Sequence, residues 1–265
     1  METTNITVIN LLFGLLLVFI PALILWQYKT GITKALIIAV IRMVVQLFCV
    51  GFYLNYLFEW NSIWINLLWL FVMTGVCAID LLKRVHISIK ALFFPIFVAI
   101  LVSLSFIAFY FLQVVLVLDN LFESRYFIPI CGILLGNILS SNVIGLNAFY
   151  SRIIREQQFY NYLLCNGATI SEATRPFIRE ALIKSYSPTI ASTAVMGLIS
   201  LPGTLIGQIM GGSVPDLAIR FQIMIVVIIM SSSIISLLLS LHWSMKYTLD
   251  EFGRFKTNIL KQAIA

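Results

Sequence analysis

The sequence predicts an all-α integral membrane protein. Of its 265 residues, 61% are hydrophobic and only 11% are charged, and the mean hydropathy is +1.02. Soluble domains average roughly 45–50% apolar and about 25% charged residues, so this composition excludes an ordinary soluble domain. The apolar residues form long, nearly uncharged runs, whereas the strands of a membrane β-barrel alternate over about ten residues. Each run is long enough for a helix that crosses the hydrocarbon core.

Seven such runs are predicted to cross the membrane as helices. In order they cover residues 6–26, 35–58, 63–80, 92–118, 126–150, 187–212 and 221–243. The first run lacks the basic flank and the short apolar core of a cleaved signal peptide, so we expect it to remain as a span. The spans predict a single transmembrane domain over residues 1–265, with one long connection at 151–186.

The charges of the connections predict the topology. Lys and Arg accumulate in cytoplasmic loops. One side of the membrane receives Lys29, Lys34, Lys83, Arg84, Lys90, Arg152, Arg155, Arg175, Arg179, Lys184, Lys246, Arg254, Lys256 and Lys261. The other side receives only Arg125 and Arg220, beside Glu2, Glu59, Asp119, Glu123 and Asp216. We therefore expect an outward-facing N-terminus and a cytoplasmic C-terminus, and the net charge of +6 indicates topology and not nucleic-acid binding.

The long connection is predicted to contain a sharp turn between two helices. Asn166-Gly167 indicates a helix stop, because glycine enters the left-handed conformation without strain. Thr169 and Glu172 have the spacing of a capping box, in which each side chain satisfies a free backbone N–H at a helix start.

A short helix is expected after this turn, over residues 170–175, with Pro176 ending it or opening the next helix. Glu180 and Lys184 are four residues apart, a favourable ion-pair spacing on one helix face. The connection is either a solvated loop whose basic residues contact lipid headgroups or a docking element for a soluble partner. The local sequence leaves both interpretations open.

Few ionisable residues lie inside the predicted spans, where each is a functional hypothesis by default. Arg42 lies inside span two, with Gln46 one turn later on the same face. Asp80, at the cytoplasmic end of span three, is a candidate partner for Arg42. The alternative is that Arg42 extends to the membrane interface and has no further role.

Energy coupling through this chain alone is not expected. No Asp or Glu lies at the middle of a span, and His86 and His242 lie at span ends, so the carboxylate or histidine relay of a proton-coupled transporter is missing. The chain has no GxxxxGK[ST] phosphate loop for ATP. Its four cysteines lack CxxC spacing, and we expect none to bind metal. Any active transport must draw its energy from another polypeptide.

Span five carries small and polar residues that suit helix contacts or a polar pathway. Gly132 and Gly136 form a GxxxG packing motif. The neutral polar residues of this helix are Asn137, Ser140, Ser141, Asn142 and Asn147. They either hydrogen-bond between helices or line a pathway in which their oxygens replace water around a cation.

Span six contains residues that weaken helices. Gly203, Gly207 and Gly211 share one face as overlapping GxxxG motifs, and Pro202 removes one backbone hydrogen bond just before them. Broken membrane helices persist only where their freed backbone groups are buried in protein or face a water-filled cavity. Gln208 is a candidate polar group there. We expect a bent helix that packs tightly against a neighbour, with a merely kinked structural helix as the alternative.

Four stretches together resemble the FetB/YbbM-type permeases, a bacterial family associated with iron export whose plant relatives are associated with aluminium tolerance. They read IPICGILLGN, REQQFYNYLLCNGATISEATRPFIREALIKSYSPTI, GLISLPGTLIGQIMGG and PDLAIRFQIMIVVIIMSSS. The resemblance is dense from about Arg42 to Ser240. Spans one, three and four agree mainly in length and hydropathy.

The resemblance implies the permease subunit of an ABC transporter in the bacterial inner membrane. Such a subunit forms a homodimer in the lipid bilayer, and each copy binds a cytosolic ATPase that holds ATP and Mg²⁺. The residues implied in coupling to the ATPase are Asn166, Gly167, Ala168, Thr169, Glu172 and Arg175. Relatives usually carry Leu-Gly before the alanine, so Cys165 and Asn166 alter the turn in this chain.

The substrate expectation, an exported metal ion with iron first, comes from the resemblance only. No span holds His, Cys, Asp or Glu at metal-ligand spacing, and a small polar organic molecule or a metal chelate suits the same spans. A regulatory membrane protein that recruits a soluble partner without transport is the second functional class. An intramembrane enzyme ranks last, because no nucleophile–base pair or metal ligand set lies at one depth.

Overall fold

The computed structural model describes residues 8–118, 120–250 and 252–256, and helices dominate this part of the chain. The helices are α1 (Val8–Leu16), α2 (Phe19–Gln27), α3 (Thr33–Trp60), α4 (Ile63–Arg84), α5 (Ile89–Tyr110), α6 (Ser124–Arg155), α7 (Gln157–Cys165), α8 (Ile170–Ala194), α9 (Gly203–Met210) and α10 (Pro215–Thr248). A π-helical turn, Phe111–Val115, extends α5. Among the described residues, six helical stretches are long and apolar enough to cross a membrane.

One compact unit contains α1, α2 and α3, together with residues 210–212. Within it, α2 packs against α3. The predicted first span is interrupted between α1 and α2, where the Val18 N–H donates to the Leu15 carbonyl at 3.1 Å. Pro21 explains the interruption, because proline has no N–H to donate to the Leu17 carbonyl and its ring crowds that carbonyl. Ile9–Gln27 nevertheless remains a candidate span. Ile6, the predicted start of this span, lies outside the described residues.

The second unit contains the other helices, residues 61–209 and the chain after 212. Here α10 packs on α5 and α6, α6 packs on α8, and α4 packs on α5 and α6. Leu81, Ile100, Leu104, Leu134 and Ile138 are completely buried where these helices meet. Burial of such aliphatic side chains between closely spaced helices supplies the packing contacts that hold membrane helices together.

Spans two to five and span seven agree with long helices of the structure, α3, α4, α5 with its π-helical turn, α6 and α10. Most of these helices run beyond the predicted ends, above all α10, which begins six residues before span seven, whereas the helical turn after α5 ends at Val115, before the predicted end at 118. Hydropathy detects the apolar centre of such a helix, whereas its polar ends extend into the interface. The total of seven crossings and the orientation stay predictions. Three of the charged residues used for the orientation, Glu2, Asp119 and Lys261, lie outside the described residues.

The prediction of one helix over 187–212 is wrong. α8 ends at Ala194 and α9 begins at Gly203, with irregular backbone between them. Gly197 has a φ of +87°, which favours glycine, and its N–H donates to the Ser200 carbonyl at 2.9 Å. The Pro202 carbonyl then accepts the first bond of α9, from the Ile206 N–H at 3.1 Å. The helix breakers recognised in the sequence therefore interrupt this segment completely.

Candidate functional site

The turn between α7 and α8, called the elbow below, is built by a regular helix stop. Gly167 has a φ of +87° and donates its N–H to the Leu164 carbonyl at 3.0 Å. The Ala168 N–H donates to the Leu163 carbonyl at 3.1 Å. These two bonds form a Schellman motif, which satisfies the last carbonyls of a helix. The predicted stop at Asn166-Gly167 is confirmed.

The start of α8 is a complete capping box, as the sequence predicts. The Thr169 N–H and hydroxyl both donate to Glu172 Oε2 at 2.8 Å, and the Glu172 N–H donates to Thr169 Oγ1 at 3.3 Å. The backbone N–H of Thr169, followed by its hydroxyl, holds the pKa of the Glu172 carboxyl below its usual value. The carboxylate of Glu172 therefore fixes the elbow backbone.

The predicted short helix over 170–175 is wrong, because α8 continues through Pro176 to Ala194. Ala173, Phe177 and Ala181 are completely buried and Ser185 is 3% exposed. Their spacing of four places them on one side of α8, which packs against α6. This continuous packing face outweighs the one backbone hydrogen bond that proline removes.

Arg152, near the C-terminal end of α6, joins α6 to α8. Its guanidinium donates to the Pro176 carbonyl at 3.2 Å, pairs with Glu180 and lies 5.2 Å from the Phe177 ring centroid. Glu180 also pairs with Lys184 at 2.6 Å, which confirms the predicted ion-pair spacing. The hydrogen bond from Lys184, with the nearby charge of Arg152, holds the pKa of the Glu180 carboxyl below its usual value. One guanidinium thus contacts three groups of α8.

The chain after α10 folds back onto the elbow, which the sequence analysis did not predict. Tyr160 of α7 is completely buried, and its hydroxyl donates to the Gly253 carbonyl at 2.9 Å. Its ring packs against Phe177 and Phe255, with centroids 6.1 Å and 5.3 Å away. Asp250 Oδ1 closes the turn by accepting from the Arg254 N–H at 2.6 Å. Leu249, Asp250 and residues 252–256 are called the hook below.

Gly253 is required at the tip of the hook for two reasons. Its φ is +75°, and a Cβ added there would lie 3.2 Å from Ile170 Cγ1 and from Leu164 Cδ1. Asp250 and Gly253 have the spacing that favours a β-turn, which was a readable signal in the sequence. The contact between this turn and Tyr160 was not readable, because it depends on where α10 ends relative to α7.

A groove with charged walls lies on the exposed side of the elbow, lined by Arg152, Glu172, Arg175, Arg179 and Glu180 among others. Arg175 and Arg179 are exposed and, within the described residues, form no ion pair. They lie one turn apart on the same face of α8 as Glu172. The elbow thus offers two unpaired guanidinium groups beside a rigid helix start.

Comparison with known proteins identifies the family of this chain. Residues 8–249 match the family described as "Uncharacterised protein family (UPF0014)". The chain belongs to the UPF0014 family. The expected resemblance to FetB/YbbM-type permeases is confirmed by the relatives themselves.

One UPF0014 relative is the probable iron export permease protein FetB of Escherichia coli (strain K12), 31% identical over 242 residues that cover 91% of each chain. The UPF0014 membrane protein YjkA of Bacillus subtilis (strain 168) is 30% identical over 235 residues, 85% of this chain and 88% of the relative. Protein ALUMINUM SENSITIVE 3 of Arabidopsis thaliana is 31% identical over 226 residues, 84% and 80% of the two chains. No solved structure matches the chain.

The charged and polar candidates of spans two, three and six lie on α3, α4 and α9 of this UPF0014 chain. Arg42 and Gln46 lie on α3 in the first unit, and both are exposed. Asp80 of α4 pairs with Arg84 one turn later, at 2.8 Å between Nε and Oδ2. Gln208 is half-buried on α9. Among the described residues, no group of three or more His, Cys, Asp or Glu side chains is placed to hold a metal ion.

The polar residues of α6 divide into an exposed and a buried set. Asn137 and Ser140 are exposed and donate to carbonyls of their own helix at 2.9 Å and 3.1 Å. Ser141 is 6% exposed and shares a 2.7 Å hydrogen bond with Ser185 of α8. Asn142 is completely buried and faces α10 through a hydrogen bond to Ser236 at 3.0 Å. Of these four residues, only the buried Ser141 and Asn142 connect α6 to a neighbouring helix.

The glycines differ from one another in their packing. Within the second unit, a Cβ added at Gly136, Gly203 or Gly207 meets no described atom within 4 Å, and one added at Gly132 meets only Met73 Cε, at 3.7 Å. Gly211 lies in the turn after α9. The glycine in tightest contact is Gly145, which the sequence analysis did not select. A Cβ there would lie 2.5 Å from Leu237 Cδ1 of α10.

Proposed function

We propose that this UPF0014 chain is the permease subunit of an ABC transporter that exports a metal ion, with iron as the leading substrate. The observation that carries the coupling role is the capped elbow, whose helix start at Thr169 is fixed to α6 through Arg152. A relative named as a probable iron export permease supports the substrate. ATP and Mg²⁺ are bound by the partner ATPase in this proposal.

The elbow supports docking through its rigidity and its free charges. Arg175 and Arg179 offer guanidinium groups to carboxylates of a partner, because such pairs form strong, directional hydrogen bonds. The capping box and the Arg152 contacts oppose bending of the elbow when a partner pushes on it. Force applied at the groove is then carried into α6 and α8 without being lost in loop motion.

The proposal includes the predicted topology and assembly. The elbow lies in the cytosol, the chain crosses the inner membrane of a bacterium seven times from an outward-facing N-terminus, and two copies form a homodimer. Gly136, Gly203 and Gly207 support a further helix contact, since their surfaces are open within the second unit and small residues allow close helix approach.

The test is reconstitution of the full chain in proteoliposomes with the ABC ATPase that co-purifies with it. We expect ATPase stimulation and ATP-dependent movement of Fe²⁺. Arg175→Glu combined with Arg179→Glu should abolish ATPase binding, because two attractive charges become repulsive. Arg220→Glu is the matched control, an exposed arginine at the opposite end of α10 from the hook.

Glu172→Ala and Gly167→Val should uncouple ATP hydrolysis from transport while membrane insertion persists. Gly167→Val places a β-branched residue at a φ of +87°, a conformation such residues rarely adopt. Partner binding without any transport would instead support the regulatory class. Transport of an organic solute or a chelate in place of Fe²⁺ would refute the metal assignment alone.

A further inference from the structure

α10 carries a line of hydroxyl side chains on the face that is buried in the second unit. They recur at every fourth position, so in a helix with 3.6 residues per turn each is turned by about 40° from the one before, and the line winds slowly around α10. They are Ser232, Ser236, Ser240, Ser244 and Thr248, and each is 0% exposed. At 1.5 Å per residue this hydroxyl line is about 24 Å long and follows the C-terminal half of α10. It ends at the hook, beside the elbow.

Two α6 side chains meet the hydroxyl line. Asn142 donates its amide N–H groups to the Ile138 carbonyl at 2.9 Å and to Ser236 Oγ at 3.0 Å. Because a backbone carbonyl only accepts hydrogen bonds, these contacts fix the orientation of the amide and leave Asn142 Oδ1 as an acceptor. The Tyr150 hydroxyl lies about two turns further along α6, beside Ser244.

Two of these buried oxygens, Asn142 Oδ1 and Ser240 Oγ, have no hydrogen-bond partner within the described residues. The Tyr150 hydroxyl lies near the hydroxyls of Ser244 and Thr248 but forms no hydrogen bond of good geometry with them. Ser244 and Thr248 behave differently, because they donate to carbonyls of their own helix at 3.1 Å and 3.0 Å. Serines inside helices commonly form such bonds. A buried polar atom without a partner is costly and indicates a bound water or ligand that completes it.

Leu237 closes the space between the two helices. It is 1% exposed and lies next to Ser236 in sequence. Its methyl groups approach Gly145 so closely that an added Cβ would lie 2.5 Å from Cδ1 and 2.6 Å from Cδ2. The structure therefore records a closed arrangement. Rotation of Leu237 or separation of α10 from α6 would open the hydroxyl line from the elbow end.

The chemistry of the line favours a hard cation. Hydroxyl, phenol and amide oxygens are the neutral ligands that suit such ions. No carboxylate belongs to this set, so a cation would be held weakly enough to leave again, which conduction requires. An apolar solute would leave the oxygens without partners, and an anion would be repelled by Asn142 Oδ1.

We propose that the hydroxyl line of α10, with Asn142 and Tyr150 of α6, is the elbow-side half of the substrate path, closed here by Leu237. It takes a partly hydrated metal cation from the side of the membrane on which the elbow lies. This inference rests on the proposed transport function and deepens it by naming the path and the ligand atoms.

The test uses single-cysteine variants of the full chain, with the native cysteines replaced, reconstituted with the ATPase. Ser240→Cys should react with a water-soluble methanethiosulfonate reagent on the order of tenfold faster during ATP hydrolysis than without nucleotide, because only a hydrated thiol ionises readily. Leu238→Cys is the matched control, two residues away and 43% exposed on the outer side of α10. The thiol of Leu238→Cys should stay unreactive both without nucleotide and during ATP hydrolysis. Mn²⁺ should slow the reaction of Ser240→Cys.

A second arm uses Ser240→Ala and Asn142→Ala, in case the cysteine variant fails to assemble. We expect transport of Mn²⁺ or Fe²⁺ to fall by roughly 10–100-fold, the range typical of groups that support a metal site, with ATPase binding unchanged. Rescue of transport by Asn142→Gln, which restores the carbonyl, would support a ligand role. Unchanged transport with a lower Tm would identify these oxygens as structural and overturn the path.

The two arms separate this inference from the proposed function. If the wild type moves metal while Ser240→Cys stays unreactive and Ser240→Ala is fully active, the path is refuted and the transport function stands. If Ser240→Cys reacts only during ATP hydrolysis but no metal moves, the proposed path stands and the assignment of a metal cation as its substrate is refuted. If neither metal transport nor reactivity occurs, both are refuted.

Discussion

Replacing Tyr160 by Phe should release the hook from the elbow. The substitution removes one hydroxyl and keeps the ring packing against Phe177 and Phe255. The Gly253 carbonyl, which accepts the Tyr160 hydroxyl at 2.9 Å, then has no partner at this buried position. In the released hook the same carbonyl binds water, so the substitution penalises only the docked state.

The expected size follows from the burial of this hydrogen bond. Leaving a buried acceptor unsatisfied costs about 1–3 kcal/mol. That free energy changes the equilibrium between docked and released hook by about 5–150-fold. Tyr162→Phe is the matched control, because Tyr162 lies on the same helix but is 63% exposed. Its substitution should change the equilibrium very little.

Limited trypsin digestion in detergent measures the released population. Arg254 is held in the Asp250 turn, by its own N–H and by a bond from the Asp250 N–H to its carbonyl at 3.0 Å. Cleavage there requires an open hook, and its rate follows the open population when opening is fast. Equal cleavage rates at Arg254 in wild type, Tyr160→Phe and Tyr162→Phe would refute the docking of the hook by Tyr160.

The remaining predictions concern the cap, its pH dependence, the topology and the contact of α6 with α10. Thr169→Ala should lower the free energy of unfolding by about 0.5–2 kcal/mol, with recovery in Thr169→Ser, both measured by thermal unfolding. The lowered pKa of Glu172 means that its stabilisation is full above the usual value of 4.5 and is lost as pH falls through the lowered value. The Tm difference between wild type and Glu172→Gln should therefore narrow on acidification, and a constant difference would contradict the capping role. Cys165, exposed at the elbow, should react with an impermeant maleimide only after cells are permeabilised. Labelling of Cys165 in intact cells would show that the elbow lies outside and that the predicted orientation is inverted. Gly145→Ala should cost about 1–3 kcal/mol by overpacking, with Leu237→Ala in the double variant relieving that cost; strictly additive Tm changes would contradict the contact.

The span positions were predictable from sequence because a helix in lipid must be apolar over its whole crossing. The breaks were only partly predictable. Pro202 and its neighbouring glycines marked one break, whereas Pro21 marked another that the hydropathy run concealed. Pro176 shows the reverse case, since α8 continues through it where Phe177 and Ala181 pack against α6. Local propensity yields to tertiary packing of this kind.

The elbow was predictable where it depends on neighbouring residues and not where it depends on distant ones. Thr169 and Glu172 satisfy each other within one helical turn, so their spacing was enough. The hook reaches Tyr160 from 93 residues away, a contact that no local pattern contains. Spacing also failed to distinguish Gly145 from Gly136, because a close contact depends on which neighbour faces the glycine. The hydroxyl line of α10 is readable in the sequence as a repeat of four.

The contacts of the elbow connect it to both walls of the proposed path. Arg152 binds the Pro176 carbonyl, so α8 is attached to α6 near the elbow, and Ser141 and Ser185 attach them again further along. The hook attaches the end of α10 to Tyr160 of α7. A partner that displaces the elbow therefore pulls on α6 through α8 and on α10 through the hook. Leu237 closes the path where α6 and α10 meet, so relative movement of these two helices is the motion that would open it. Release of the hook by Tyr160→Phe should accordingly weaken the ATP-dependent reactivity of Ser240→Cys while the partner ATPase still binds.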